Sequence, residues 1–343
     1  MSVSMVKGKN TVRKLEIGFL GLGWIGRKRL EALAKTEIVQ PVAFVDTCRE
    51  LASETASFFG AKVYRDLEEM LKYDLDGIVI ATPSALHAAQ AIKALDAGIP
   101  VFCQKPLGRS AQEVSQIVET ARRNDLLLGV DLSYRFLNCT KILKTMVNRG
   151  ELGEIFASEL VFHNGYGPDK PWFYDPSQSG GGCLIDLGIH LIDLILWMKE
   201  FPVVKNVAGR LYSSGRRLEK SGSVEDYVSA SFDLDGGCGV DLSCSWKLHA
   251  GADAVISISI YGTKGGVKLS NVSGSFYDFR LEKLEGTKSR VVCEPPDDWG
   301  GRAAVDWAQK LYDGEGFDSE VLHTIRVASV MDAIYQSSYR QGV

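Results

Sequence analysis

The stretch Gly21-Leu22-Gly23-Trp24-Ile25-Gly26 decides the fold, read together with Ile17-Gly18-Phe19-Leu20 before it and Arg27-Lys28-Arg29-Leu30-Glu31-Ala32-Leu33-Ala34 after it. The leading run is apolar and reads as a strand. The trailing segment carries apolar residues at helical spacing. A strand, Gly-x-Gly-x-x-Gly and a helix together make the dinucleotide fingerprint. Gly21 permits the tight turn, Gly23 lets the backbone approach a pyrophosphate, and Gly26 lets the helix pack closely on the strand. Trp24 and Ile25 open the helix, whose N-terminal N–H groups and positive dipole end face the phosphates. Glycine turns are common, so a second signal is needed. Asp46 stands twenty residues past Gly26, at the end of the apolar run Pro41–Val45. There a carboxylate accepts from the adenosine ribose hydroxyls and repels a 2′-phosphate. The expected cofactor is therefore NAD, with NADP the alternative, and Arg49 is the nearby charge that favours the latter.

A chain of 343 residues suits two domains. Its 45% apolar and 24% charged residues are ordinary for a globular protein. The net charge of −4 gives no broad basic field, so neither nucleic acid nor an anionic membrane is an expected partner. No uninterrupted apolar run is long enough to span a bilayer. The basic residues among the first fourteen precede no apolar segment, so they do not read as a signal peptide. Residues 1–13 read as a flexible lead-in, and the expected location is the cytoplasm. The seven cysteines include no CxxC pair and are expected to be reduced, buried thiols rather than disulfides or zinc ligands. No metal site is expected.

From residue 14 to 131, six apolar strands alternate with helical segments, which predicts a doubly wound parallel sheet of the Rossmann type. After Asp131 the pattern changes. Longer, alternating strands are expected at 155–162, 203–212, 227–234, 239–246, 254–261, 265–269 and 276–281. Helices are expected at 136–148, 299–312 and 321–339. Residues 132–343 thus read as a second α/β domain with a large, mostly antiparallel open sheet, whose C-terminal helix can pack back on the first domain.

Three stretches carry candidate chemistry. Thr82, Pro83 and His87 belong to the loop after the fourth strand, at the carboxyl edge where ligands of open α/β sheets lie, and are candidate cofactor contacts. Gln104-Lys105-Pro106 follows the fifth strand. An ammonium there can hold a substrate hydroxyl and stabilise an alkoxide; taken alone it is better read as a solvated surface lysine. In Gly180–Asp193, glycines give way to a helix with Asp186 and His190 four apart, on one face. Imidazole is the usual acid–base group near neutral pH, and a carboxylate one turn away can orient it. Asp193 is expected to face a similar direction. Taken alone, this pair is better read as a helix-dipole aspartate and a satisfied core histidine.

In this order, GLGWIG, Asp46, ATPSALH, QKP and GGGCLIDLGIH resemble the Gfo/Idh/MocA oxidoreductases, over nearly the whole chain. The resemblance implies a Rossmann domain followed by an α/β domain whose open sheet supports a homo-oligomer, dimer or tetramer. It implies hydride transfer between NAD(P) and a secondary alcohol or ketone of a sugar, inositol or related polyol. Lys105 matches the lysine of the family's E-K-P motif, and Asp186 and His190 match its D-x-x-x-H pair. Carried over, His190 shuttles the proton, Asp186 orients it and Lys105 polarises the reacting oxygen. Gln104 departs from the family's Glu and, lacking its charge, is expected to lower the Lys105 pKa. Gln104 and Lys105 join the cofactor contacts, while Lys105, Asp186 and His190 also touch substrate. Tyr134, Tyr166 and Trp172 are further substrate candidates; Trp172 and Tyr174 equally suit domain packing. Two other readings come from relatives: an NAD-dependent glycosidase, and a regulator that binds dinucleotide without turnover. The joint presence of Lys105, Asp186 and His190 argues against the second.

Overall fold

In the computed structural model, which describes residues 13–219 and 222–340, the first domain holds six strands and five helices. The expected lead-in lies outside the described residues, apart from Arg13. The strands are β1 Leu15–Leu20, β2 Val39–Val45, β3 Lys62–Val63, β4 Gly77–Ile80, β5 Val101–Cys103 and β6 Leu128–Val130. The helices are α1 Trp24–Ala34, α2 Arg49–Phe59, α3 Leu67–Met70, α4 Ser84–Asp96 and α5 Ala111–Arg123. All strand pairs are parallel, in the order β3-β2-β1-β4-β5-β6. The order reverses between β1 and β4, which opens a crevice at their carboxyl ends. Every residue of β4 is buried, as a strand covered by helices on both faces requires. At the start of α5, Ser110 accepts from Glu113 N while Glu113 accepts from Arg109 N, a reciprocal cap that fixes where the helix begins.

The second domain comprises α6 Asn138–Asn148, α7 Pro176–Ser179, α8 Ile189–Met198, α9 Arg302–Tyr312 and α10 His323–Arg340, with nine strands. These are β7 Ile155–Asn164, β8 Val204–Ser213, β9 Arg216–Arg217, β10 Tyr227–Leu234, β11 Cys238–Ser245, β12 Ala254–Gly262, β13 Gly265–Asn271, β14 Phe279–Glu285 and β15 Lys288–Cys293. Their order is β15-β14-β13-β12-β7-β11-β10-β8-β9, and only β7 and β11 run parallel. The strand expected at 276–281 begins at Phe279, and β9 and β15 were not expected. On β7, Leu160 and Phe162 point to the covered face while Glu159 points to solvent, the period-two alternation of a sheet with one open face.

Two departures from expectation concern packing. Helix α9 returns to the first domain, where Ala303, Ala304, Trp307 and Ala308 join the core formed by Ile17, Phe19 and Phe102. A Cβ at Gly77 or Gly129 would lie 2.7 Å from the Trp307 ring, so both glycines make room for it. Second, Cys139 and Cys293 form a disulfide with their Cα atoms 5.5 Å apart, and Cys48 is exposed. The expectation of reduced, buried thiols is therefore corrected, holding for Cys103, Cys183, Cys238 and Cys244. The segment Pro176–Met198 is long and apolar enough to cross a membrane, but 89% of its most apolar window is buried inside the fold, as a core helix.

Candidate active site

A cleft of about 1110 Å³ runs along the carboxyl edge of the first sheet, from Asp46 and Arg65 at one end to Lys105, Asp186 and His190 at the other. Its glycine loop has the geometry that a dinucleotide demands. Gly21 has φ +93°, and a Cβ there would lie 2.5 Å from the Ala81 carbonyl oxygen. A Cβ on Gly26 would lie 2.2 Å from the Gly21 oxygen, whereas one on Gly23 would meet nothing within 4 Å. The space above Gly23 is thus free for a phosphate. The first helical bond beyond the loop is Arg27 N–H to the Gly23 carbonyl, at 3.0 Å. The N–H groups before it face the anion position of a helix start. Trp24 is exposed there. Asp46 accepts from Leu22 N at 2.6 Å and from Cys48 N at 2.8 Å, so it also holds the loop. Each of its oxygens keeps lone-pair capacity for a ribose hydroxyl. Arg65 lines this cleft and Arg49 does not, which moves the nearby cation from the expected position to the end of β3.

At the other end the two domains meet. Lys105 Nζ donates to Asp186 Oδ1 at 2.7 Å and to the Asp186 carbonyl at 2.8 Å, and Trp246 Nε1 donates to Asp186 Oδ2 at 3.1 Å. Asp186 lies in a π-helical turn, Leu184–Gly188, which leads into α8. His190, on the first turn of α8, is 8% exposed and packs its ring 4.7 Å from that of Tyr134. Neither imidazole nitrogen has a hydrogen-bond partner among the described residues, and Nδ1 is fully buried. Burial, with the cations of Lys105 and Arg29 adding to it, holds the His190 pKa well below its ordinary value. The ring is therefore neutral at physiological pH. Burial likewise raises the Tyr134 phenol above its usual range, so its hydroxyl stays protonated.

Several expectations change here. Asp186 does not orient His190, because its carboxylate is taken by the lysine ammonium, a stronger partner than a neutral ring. Asp193 turns away from the cleft and pairs with Arg135 at 2.8 Å. The Gln104 amide donates to the buried carboxylate of Asp131, which also accepts from Arg29 Nε, so Gln104 does not act on Lys105. His87 is 1% exposed, with its ring nitrogens each 2.7 Å from the carbonyl oxygens of Thr82 and Pro106. It ties the loops after β4 and β5 together where they border the cleft. Thr82, Pro83, Tyr166 and Trp172 do line the cleft. Arg29, Asp131, Trp246, Phe276, Tyr277 and Trp299 were missed. Arg29 could have been found one helical turn beyond the glycine loop; the others come from distant strands and loops.

Comparison with known proteins agrees with this geometry. Residues 15–132 match the model of an oxidoreductase family with an NAD-binding Rossmann fold, and residues 140–268 match the GFO/IDH/MocA C-terminal domain. A glucose-6-phosphate 3-dehydrogenase of Bacillus subtilis is 28% identical, over 90% of this chain and 87% of its own. A D-glucoside 3-dehydrogenase of Escherichia coli is 27% identical, over 77% of this chain and 79% of its own. Among solved structures, a levoglucosan dehydrogenase with NADH and levoglucosan superposes with a TM-score of 0.81. It covers 96% of this chain and 98% of its own at 21% identity, which establishes a shared fold.

Proposed function

The chain belongs to the Gfo/Idh/MocA family of oxidoreductases, and from that premise we propose that it moves hydride between NAD and a ring carbon of a sugar or polyol. The observation that carries this reading is the convergence of Lys105, Asp186 and His190 at one end of a cleft whose other end is the glycine loop. The glucose-6-phosphate, glucoside and inositol dehydrogenases among its relatives support a polyhydroxylated substrate. So does the composition of the cleft mouth. Tyr166, Trp172, Phe276 and Tyr277 offer aromatic faces, which suit the apolar face of a sugar ring.

When bound, NAD supplies a hydride acceptor at its nicotinamide ring. Gly21, Gly23 and Gly26 seat its pyrophosphate, Asp46 takes the ribose hydroxyls, and Thr82 and Pro83 border its path. Lys105, locked to Asp186, donates a hydrogen bond to the reacting oxygen and stabilises the alkoxide character that develops on it. His190, neutral and otherwise unbonded, takes the hydroxyl proton in oxidation and returns it in reduction. Tyr134 fixes the plane of the imidazole and stays protonated beside it. The carboxylate of Asp46 favours NAD over NADP. The enzyme works in the cytoplasm as a homo-oligomer joined through the open face of its nine-stranded sheet.

A panel of sugars, sugar phosphates, glycosides, inositols and their keto forms, followed by nicotinamide absorbance, tests this function. Turnover of at least one class, lost in His190→Ala with NAD still bound, is the expected result. Cofactor binding with no turnover anywhere on the panel defeats it. Light scattering tests the oligomer, and a monomeric mass defeats that part alone.

A further inference from the structure

We propose that Glu225 is a positioning residue which, with Tyr335, seats the segment Gly182–His190 at the height where Asp186 and His190 meet Lys105. The proposal rests on the oxidoreductase reading above and extends it to a residue outside the cleft. The helical segment Leu184–Met198 has no cap of its own, since the side chain of Cys183 makes no capping bond. Its orphan N–H groups need acceptors. Glu225 provides them. Gly182 N donates to its Oε1 at 2.9 Å and its Oε2 at 3.0 Å, and Leu184 N donates to Oε1 at 3.0 Å. Between these two, Cys183 N donates to the backbone carbonyl of Glu225, also at 3.0 Å. Three successive N–H groups are thus held by one residue, whose carboxylate also sits favourably at the positive end of the helix.

Glu225 is 1% exposed, and burial raises its carboxyl pKa against the opposing pull of these donors. Tyr335, on α10, adds a fourth by donating from Oη to Oε1 at 2.9 Å. The glycine run is shaped around this contact. A Cβ on Gly182 would fall 1.9 Å from the Glu225 carbonyl oxygen, and one on Gly181 would fall 2.0 Å from Tyr335 Oη. The chain is glycine here because it is pressed against the seat, not because it must flex. Asp186 N donates to the Gly182 carbonyl at 3.1 Å, so a shift of Gly182 passes directly to the residue that holds Lys105. Helix α10 also reaches the first domain, where Asp332 accepts from Ala111 N at 2.9 Å. One helix therefore references the catalytic segment to both domains.

The carboxylate is specific to this arrangement. In Glu225→Gln, the amide nitrogen replaces one oxygen and meets backbone N–H groups as donor against donor. The test uses the full chain with NADH bound and compares wild type, Glu225→Gln and Tyr335→Phe. Hydrogen–deuterium exchange should quicken in peptides spanning 181–190 and stay unchanged in those of the glycine loop. NADH affinity should hold. On a substrate found in the panel, kcat should fall by about 10- to 100-fold, the scale of a small misplacement of reacting groups. The primary deuterium isotope effect on kcat should rise as hydride transfer becomes slower. Tyr335→Phe should change both in the same direction by less, and it carries the test if Glu225→Gln fails to fold. Unchanged exchange at 181–190 overturns the proposal, as does quickened exchange with kcat intact. A fall in kcat matched by lost NADH-binding stoichiometry, at a constant isotope effect, reveals a merely structural role and also overturns it. A panel without turnover defeats the functional reading, while the exchange arm still decides whether Glu225 seats the segment.

Discussion

Lys105 Nζ is bonded to Asp186 twice, through the carboxylate at 2.7 Å and the backbone carbonyl at 2.8 Å. The lysine comes from the end of β5 and the aspartate from the π-turn before α8, so this contact joins the two domains across the cleft. Two acceptors on one residue fix the ammonium in direction as well as distance, leaving its remaining N–H for the substrate oxygen. Lys105→Met should therefore lower kcat by about 10²- to 10³-fold, the usual loss on removing one such donor. Asp186→Asn keeps an acceptor but loses the charge, and should cost less. NAD affinity should hold in both, since neither residue touches the glycine loop. Steady-state kinetics with fluorescence titration of NADH checks this. Equal losses in kcat and cofactor affinity would show that the pair serves binding instead.

The environment of His190 dictates a pH profile. A general base acts only when deprotonated, so oxidation should decline on the acid side as His190 takes a proton. Burial and the nearby cations lower its pKa. The decline in kcat/KM should then fall well below pH 6.5, the ordinary value for histidine. Removing the neighbouring charge in Lys105→Met should move the acid limb of the residual activity upward. An acid limb at or above the ordinary histidine value, or one indifferent to Lys105, would contradict this assignment. His190→Ala should remove the limb along with most of the turnover.

Asp46 has two duties, which its variants can separate. Asp46→Asn, with its amide oxygen turned to Leu22 N, keeps the acceptor that holds the loop, gives up only the bond from Cys48 N, and removes the charge that repels a 2′-phosphate. Asp46→Ser removes the charge and also shortens the acceptor that holds Leu22 N at 2.6 Å. Both should erode the preference for NAD over NADP, while only Asp46→Ser should also weaken NAD through a loosened loop. Titration of each variant with both cofactors decides the matter. An unaltered cofactor ratio in Asp46→Asn would show that the preference arises elsewhere, with Arg65 the first residue to examine.

Local signals carried the parts of this protein that are built locally. The glycine loop was legible because Gly21, Gly23 and Gly26 lie within one strand–turn–helix unit, where Gly26 packs on the Gly21 carbonyl. Strands β4, β5 and β6 were legible because each is apolar throughout, and β1 and β2 because a single polar residue interrupts each. What sequence could not show is where side chains go once two domains close on one another. Asp186 and His190 share a helical spacing, yet Lys105, eighty-one residues earlier, claims the carboxylate. Cys139 and Cys293 are 154 residues apart, and nothing local marks them as partners. The crowding of Gly181 and Gly182 comes from Tyr335 and Glu225, far along the chain, so sequence alone could not show it. Helix α9 was placed correctly as a helix, but its return to the first core depends on Gly77 and Gly129 leaving space for Trp307.

Gln104 offers the sharpest contrast between a sequence expectation and a structural one. Read beside Lys105, its missing charge should be felt by the lysine. In the structure its amide instead donates to Asp131, which is 1% exposed and paired with Arg29. Gln104→Glu would replace that donor with a second carboxylate at a buried site. Two such groups cannot both ionise at hydrogen-bond distance, so one must take a proton or lose its partner. Leaving a buried charged group without its donor costs on the order of 3 kcal/mol or more. Gln104→Glu should therefore unfold at a lower temperature than wild type. The double variant Gln104→Glu/Asp131→Asn restores one carboxylate and one amide with their positions exchanged. Arg29 can then follow the charge, and most of the lost stability should return. Thermal unfolding of the two single variants and the double variant forms a cycle, whose coupling should be large and favourable. If the two losses simply add, Gln104 and Asp131 do not act as a pair. If Gln104→Glu leaves stability intact, the bond from the amide to Asp131 carries no weight in the fold and this reading fails.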